Sequence, residues 1–236
     1  MQSDTKTIVI IGASRGIGRA TALALAGLEA QLVLAARNAE ALEGVVSAVR
    51  ERGGQAAAVP CDVTAEPHIR RLMETASAIS GRIDMLINSA GGAFVAPFEQ
   101  LTLADWENTL RTTLTGTFLA CKHAAPHMRA GGLIVNVASV AARQTFPNWS
   151  AYAAAKHGVL GFSGAIREEL RPRGVRVSVV LPAATDTALW DGIPGEWNRA
   201  NMLQPEDVAL AIAQLLAQPE YMTTEELTVG HVVGRL

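Results

Sequence analysis

The stretch TIVIIGASRGIG, residues 7–18, joins an apolar run to three glycines and then to a segment with helical periodicity. Residues 7–13 are apolar on both sides of the chain, the pattern of a strand buried on both faces. Residues 16–28 repeat apolar positions at helical spacing. Gly12, Gly16 and Gly18 fall at the turn between the two, spaced Gly-x-x-x-Gly-x-Gly. Glycines there permit a tight turn, admit the close approach of a pyrophosphate, and leave the positive helix N-terminus facing it. A purely structural turn would carry similar glycines. The buried strand before it and the helix after it are what point to a dinucleotide site, with Ser14, Arg15 and Ile17 in the same loop.

The pattern continues along the chain. AQLVLAAR (30–37), QAAAVPCDV (55–63), IDMLINSAG (83–91), GLIVNVAS (132–139) and GVRVSVVLP (174–182) read as further strands, and EELTVGHVV (225–233) as a seventh. Helical stretches separate them, including 38–54 with its Gly-Gly stop, and Thr64 is placed to cap the helix that follows the third strand. Continuous Val/Ile/Leu strands between helices predict a parallel sheet covered on both faces. Residues 182–205 are irregular and long enough to form a lid. With no linker, repeat or low-complexity segment, the 236 residues are expected to form one α/β domain over 1–236.

Composition narrows the function classes. A formal charge of −2 and mixed signs give no nucleic-acid footprint. No apolar run is long enough for a bilayer, and no leader precedes the first strand, so a cytoplasmic location is expected. Cys61 and Cys121 lack metal-ligand spacing and read as free thiols. His123 and His127 are four apart, a spacing that can hold a metal, but Pro126 interrupts them and nothing acidic stands beside them in the sequence, so no metal is expected.

The second strand ends in LAARN, with Ala36 and Arg37 where an acidic residue would bond the ribose 2′-hydroxyl of NAD. Arg37 either solvates the next helix or binds the 2′-phosphate of NADP, helped by Arg15. The missing carboxylate, which would repel that phosphate, favours NADP(H) over NAD(H). In SAYAAAKHG (150–158), Tyr152 and Lys156 lie one helical turn apart on one face, where an ammonium would lower the pKa of a phenol.

Taken together, these motifs resemble the short-chain dehydrogenase/reductase family over almost the whole chain. GASRGIG is similar to its cofactor loop and CDV to its adenine-side segment, with Asp62 and Val63. NSAG, with Asn88, Ala90 and Gly91, is similar to its Asn-Asn-Ala-Gly motif, and Ser139 stands thirteen residues before Tyr152. The resemblance implies a Rossmann-type doubly wound α/β fold of about seven parallel strands and a homodimer or homotetramer. It also implies hydride transfer between a nicotinamide and a carbonyl or secondary alcohol. Ser139 would bond the carbonyl oxygen, Tyr152 would exchange its proton, and Lys156 would tune Tyr152 and bond the nicotinamide ribose. Pro182 and Thr187 would border the nicotinamide.

Two departures stand out. TTLTGTF places Thr113 where the family has an asparagine that kinks a helix and holds a relay water, and Ala183 follows Pro182 where glycine is usual. The chain also ends near EELT, as some NADP-dependent members do, rather than in Asp-Gly-Gly. Phe146, Trp149, Trp190 and Trp197 flank the expected substrate region and suit an apolar or aromatic substrate, although packing or a subunit contact explains them equally well. A 3-oxoacyl-thioester reductase and a non-catalytic NADP-binding sensor are the alternative functions.

Overall fold

The computed structural model describes residues 5–233. Its elements follow in the order β1 (Lys6–Ile11), α1 (Gly16–Ala24), β2 (Ala30–Ala36), α2 (Ala39–Glu51), β3 (Gln55–Pro60), α3 (Glu66–Ser80) and β4 (Met85–Asn88). Then come α4 (Leu103–Leu110), α5 (Gly116–Ala124), β5 (Leu133–Val137), α6 (Ser150–Leu170), β6 (Arg176–Pro182), α7 (Pro205–Leu216) and β7 (Glu226–Val229). The seven strands form one parallel sheet in the order β3-β2-β1-β4-β5-β6-β7. Parallel neighbours cannot be joined by tight hairpins, so each connection crosses a face, most of them as a helix.

Register explains why the strands are apolar throughout. Ile8 sits opposite Leu32 and Met85, and the next residue, Val9, opposite Val33 and Leu86. Side chains alternate along a strand, so Ile8 and Ile10 join a core with Leu42, Val45 and Val49 of α2 and Val208 and Ile212 of α7. Val9 and Ile11 enter the opposite core, with Ile69, Leu72 and Met73 of α3 and Leu119 of α5. Ile8, Ile10, Leu34, Ile69 and Leu72 have no exposed surface, and each such side chain contributes about 1.5–3 kcal/mol.

Strand β1 pairs with β2 on one side and β4 on the other, so successive connections leave it in opposite directions. A crevice opens at the carboxyl ends of the strands at that switch point. Gly12, at φ 84°, follows β1 and lies against the chain leaving β4, where an added Cβ would stand 2.7 Å from the Ala90 nitrogen. A Cβ on Gly18 would stand 2.3 Å from the Gly12 carbonyl oxygen, so the loop folds onto the first turn of α1 only because both side chains are absent.

Several boundaries differ from the sequence reading. Ala65, not Thr64, is the N-cap of α3, and its methyl has no acceptor to offer; the Thr64 hydroxyl and N–H instead both donate to Asp62 Oδ1 at 2.9 Å. Helix α1 stops at Ala24 although apolar spacing continues beyond it, and the last strand is confined to Glu226–Val229. Between α4 and α5 the chain widens into a π-turn, Arg111–Thr115. This widened turn forms with Thr113 in place of the asparagine. Glu66 of α3 receives His123 Nε2 and Lys122 Nζ, each at 2.8 Å, so an acidic residue distant in sequence does stand beside His123. Among the described residues no helix is long and apolar enough to cross a membrane.

Replacing Gly18 by alanine is expected to destabilise the protein by about 1–3 kcal/mol, the usual cost of forcing a methyl into packed atoms. Gly44, inside α2 with open space around it, is expected to gain about 0.8 kcal/mol from the same change. Chemical denaturation of the two variants measures both signs.

Candidate active site

A cleft of about 930 Å³ runs along the carboxyl ends of the central strands. Gly12, Ser14, Arg15, Gly16 and Ile17 line its centre, and Arg37, Asp62 and Val63 one end. Ala90, Gly91, Tyr152, Lys156 and Thr187 line the other. Helix α1 begins at this cleft with no side-chain cap at Arg15, which leaves its first N–H groups available to an anion. Gly16, at φ 53°, keeps the loop low beneath Thr187, whose Cγ2 would lie 3.2 Å from an added Cβ. These features fit a dinucleotide, with its pyrophosphate at α1.

At the Arg37 end, Asp62 is held below the usual carboxylate range, first by the Thr64 N–H and hydroxyl bonds and also by the nearby Arg37 guanidinium, burial opposing them. Arg37 and Arg15 are exposed side chains. Three expected cofactor residues do not line this cleft. Asn88 is buried, and its Nδ2 donates to Asn136 Oδ1 at 2.8 Å and lies 3.4 Å from Cys121 Sγ. Asn136 passes the chain on to Ser163 Oγ of α6 at 2.8 Å, so Asn88 ties strands to helix. Gly18 lies beneath the loop, and Pro182 lines the neighbouring pocket instead.

That pocket, about 100 Å³, meets the cleft at Ile17, Ala138, Tyr152, Thr187 and Leu189. Ser139 follows β5 and opens a short 3-10 turn, its Oγ accepting the Ala141 N–H at 3.1 Å. Tyr152 and Lys156 are carried by α6, one turn apart. Lys156 Nζ donates to the Val137 carbonyl at 2.9 Å and lies 5.5 Å from the Tyr152 ring centroid.

The electrostatics run against the simple expectation for this pair. Burial pushes the Tyr152 phenol above its ordinary value, and the facing Ser139 hydroxyl pulls it only part of the way back. Burial also lowers Lys156 to about 8. An ammonium that is itself desolvated and turned toward a backbone carbonyl does not offset the burial of the phenol.

Aromatic rings close the far side. Tyr152 meets Trp149 edge-on with centroids 5.3 Å apart, Trp149 lies 5.8 Å from Trp190, and Trp190 lies 4.9 Å from Trp197. Asn148, at φ 70°, turns the chain just before Trp149, and asparagine tolerates that left-handed conformation. Phe146, Trp149 and Trp190 line the pocket, whereas Trp197 packs behind Trp190 and does not reach it. The irregular segment 182–205 carries two of these rings. Its neck is joined by the Asp186 N–H to Leu203 and the Leu203 N–H to Ala184, at 2.7 and 2.9 Å. Arg199 fastens it internally, donating to Asp186 at 2.6 Å, Asp191 at 2.7 Å and the Thr187 carbonyl at 3.0 Å.

A family model described as short chain dehydrogenase matches residues 6–196. The chain belongs to the short chain dehydrogenase family. It is 39% identical over 199 residues to a D-threitol dehydrogenase of Mycolicibacterium smegmatis, covering 82% of this chain and 76% of that one. It is 35% identical to a 3-oxoacyl-[acyl-carrier-protein] reductase of Synechocystis sp., covering 94% of each. An alcohol dehydrogenase from the archaeon Thermococcus sibiricus, complexed with 5-hydroxy-NADP, superposes with a TM-score of 0.91 at 27% identity, over 99% of both chains. This short chain dehydrogenase is accordingly an oxidoreductase of CH–OH and C=O groups that uses a nicotinamide cofactor.

The dehydrogenase site also contains residues that the sequence does not single out. Val137, Asn108 and Thr112 line the cleft, and Ala138, Val140 and Leu189 the pocket. Thr112 opens TTLTGTF, and Val137 and Ala138 precede Ser139 in GLIVNVAS, so their place beside recognised residues is the available signal. Thr113 is buried, and its hydroxyl has no hydrogen-bond partner among the described residues. A Cβ built on Gly91 would stand 3.5 Å from that hydroxyl and 3.8 Å from Lys156 Nζ, so both groups border the same small space.

Because Lys156 is lowered to about 8 against 10.5, its burial opposes folding in full below pH 8, less between 8 and 10.5, and not above. Lys156→Met is therefore expected to raise the melting temperature at pH 7, by on the order of 5 °C. That gain should vanish as the pH is raised to 10.5 in thermal unfolding scans.

Proposed function

We propose that this chain is an NADP(H)-dependent carbonyl reductase, or secondary alcohol dehydrogenase in reverse, with Tyr152 as the proton donor. The observation that carries the reading is the position of Tyr152. It borders both the dinucleotide cleft and the smaller pocket, with Ser139 facing its phenol and Lys156 behind its ring. When bound, the reduced nicotinamide supplies a hydride to the carbonyl carbon. Ser139 Oγ holds the carbonyl oxygen beside the phenol, and Tyr152 transfers its proton to that oxygen as the C=O bond becomes C–O. A ketone, NADPH and one proton give the alcohol and NADP⁺.

The raised phenol pKa suits a donor that must stay protonated at neutral pH until negative charge develops on the substrate oxygen. Lys156 holds the ribose, and the proton lost by Tyr152 is replaced through the space it shares with the unpartnered Thr113 hydroxyl. Arg37 and Arg15 bind the 2′-phosphate, which no carboxylate at the end of β2 repels. Segment 182–205 acts as the lid. Reduction of a 3-oxoacyl thioester is the second reading, favoured by the Synechocystis relative over nearly the full length. A binding protein without turnover ranks below both, since the Ser139, Tyr152 and Lys156 side chains are present and gathered.

Tyr152→Phe is expected to lower kcat for ketone reduction by about 10²–10⁴-fold while NADPH still binds, measured by nicotinamide absorbance and by titration. Arg37→Asp should weaken NADPH about 10–100-fold and leave NADH nearly unchanged; equal losses for the two cofactors would remove the 2′-phosphate role.

A further inference from the structure

Resting on the reading of Ser139 and Tyr152 as the carbonyl-binding pair, the walls around them restrict what the rest of the substrate can be. Among the described residues, no lysine, arginine, histidine, aspartate or glutamate lines the pocket. Its polar side-chain groups are Ser139, Tyr152 and Thr187 at the reacting end, Thr185, whose hydroxyl donates to the Ala183 carbonyl at 3.0 Å, and the indole N–H groups of Trp149 and Trp190. Backbone acceptors along this wall are occupied as well. The Ala184 carbonyl takes the Leu203 N–H at 2.9 Å, and the Thr185 carbonyl takes Trp190 Nε1 at 2.9 Å. A second polar group on the substrate would lose its water and find these partners already engaged, and a charge would lose far more.

The volume gives the second restriction. At about 100 Å³ the pocket suits one small ring or a short branched chain beyond the carbonyl. Trp190 lines the pocket but not the cleft, and it is buried and held by several contacts. Its indole N–H is held by Thr185, and its ring lies between Trp149 and Trp197. It cannot swing aside without breaking that bond and both ring contacts.

We infer that the substrate is an uncharged, compact, largely hydrocarbon ketone or secondary alcohol, and that Trp190 is the residue that limits its size. The test compares 4-methylcyclohexanone with 4-oxocyclohexanecarboxylate under saturating NADPH, a pair alike in shape that differs in charge. The specificity constant kcat/KM is expected to favour the neutral ketone about a hundredfold. A preference of at least tenfold supports the inference; a smaller or reversed one overturns it. If neither ketone is reduced, the proposed reaction fails, and the substrate class is then read by tryptophan fluorescence titration with the two matching alcohols, with and without NADP⁺. Tighter binding of 4-methylcyclohexanol supports the class, while equal or weaker binding than the carboxylate, or binding of neither, overturns it. Trp190→Ala should shift the specificity ratio toward the bulkier ketone 4-tert-butylcyclohexanone, relative to 4-methylcyclohexanone, by about tenfold or more, and Trp190→Phe should keep the wild-type ratio. An unchanged ratio in Trp190→Ala removes Trp190 as the size limit, and the ketone pair in the wild-type protein remains a separate test of the charge restriction.

Discussion

The backbone of Gly12 lies so close to that of Ser89 and Ala90 that a single added methyl would stand 2.7 Å from the Ala90 nitrogen. Much of the functional architecture depends on that approach. It lets the turn after β1 pack beside the exit of β4, where the sheet changes direction and the crevice opens. Gly18 repeats the constraint one level down, against the Gly12 carbonyl. Together they set α1 with its uncapped N-terminus facing the cleft, where a negatively charged group is favoured by backbone donors alone.

A second constraint holds the reacting end in place. The buried chain from Asn88 through Asn136 to Ser163 joins β4, β5 and α6, and Lys156 adds a bond from α6 to the Val137 carbonyl. In a low-dielectric interior such bonds are costly to break, so α6 is fixed against the strand that leads to Ser139. The position of Tyr152 relative to Ser139 is therefore a consequence of sheet packing. The asparagine of NSAG was legible as part of a motif, yet its side chain belongs to this framework and not to the cleft.

Charge behaves differently from what spacing alone indicates. Tyr152 and Lys156 share a helix face, as the four-residue interval requires, but burial acts on both groups at once. It favours the neutral phenol and the neutral amine, which opposes the stabilisation that an exposed ammonium would give a phenolate. The interval in sequence is blind to this because desolvation is set by elements that pack over the pair. The same applies to Thr113, whose unpartnered hydroxyl is defined by what surrounds it and not by its neighbours in the chain.

Local sequence specifies the alternation of buried strands and helices, the glycine turn at residues 12–18, the absence of an acidic residue after Ala36, and the one-turn spacing of Tyr152 and Lys156. Each of these is local: apolar periodicity, a glycine requirement or a helical interval is written within a few residues. Tertiary structure decided the strand order, the π-turn at Arg111–Thr115, the pairing of Glu66 with His123, and the enclosure of Trp190 between Trp149 and Trp197. It also decided that the Ala183, Ala184 and Thr185 carbonyls of the pocket wall are already engaged. These depend on which distant segments meet, and burial, hydrogen-bond satisfaction and cavity shape exist only once they have met.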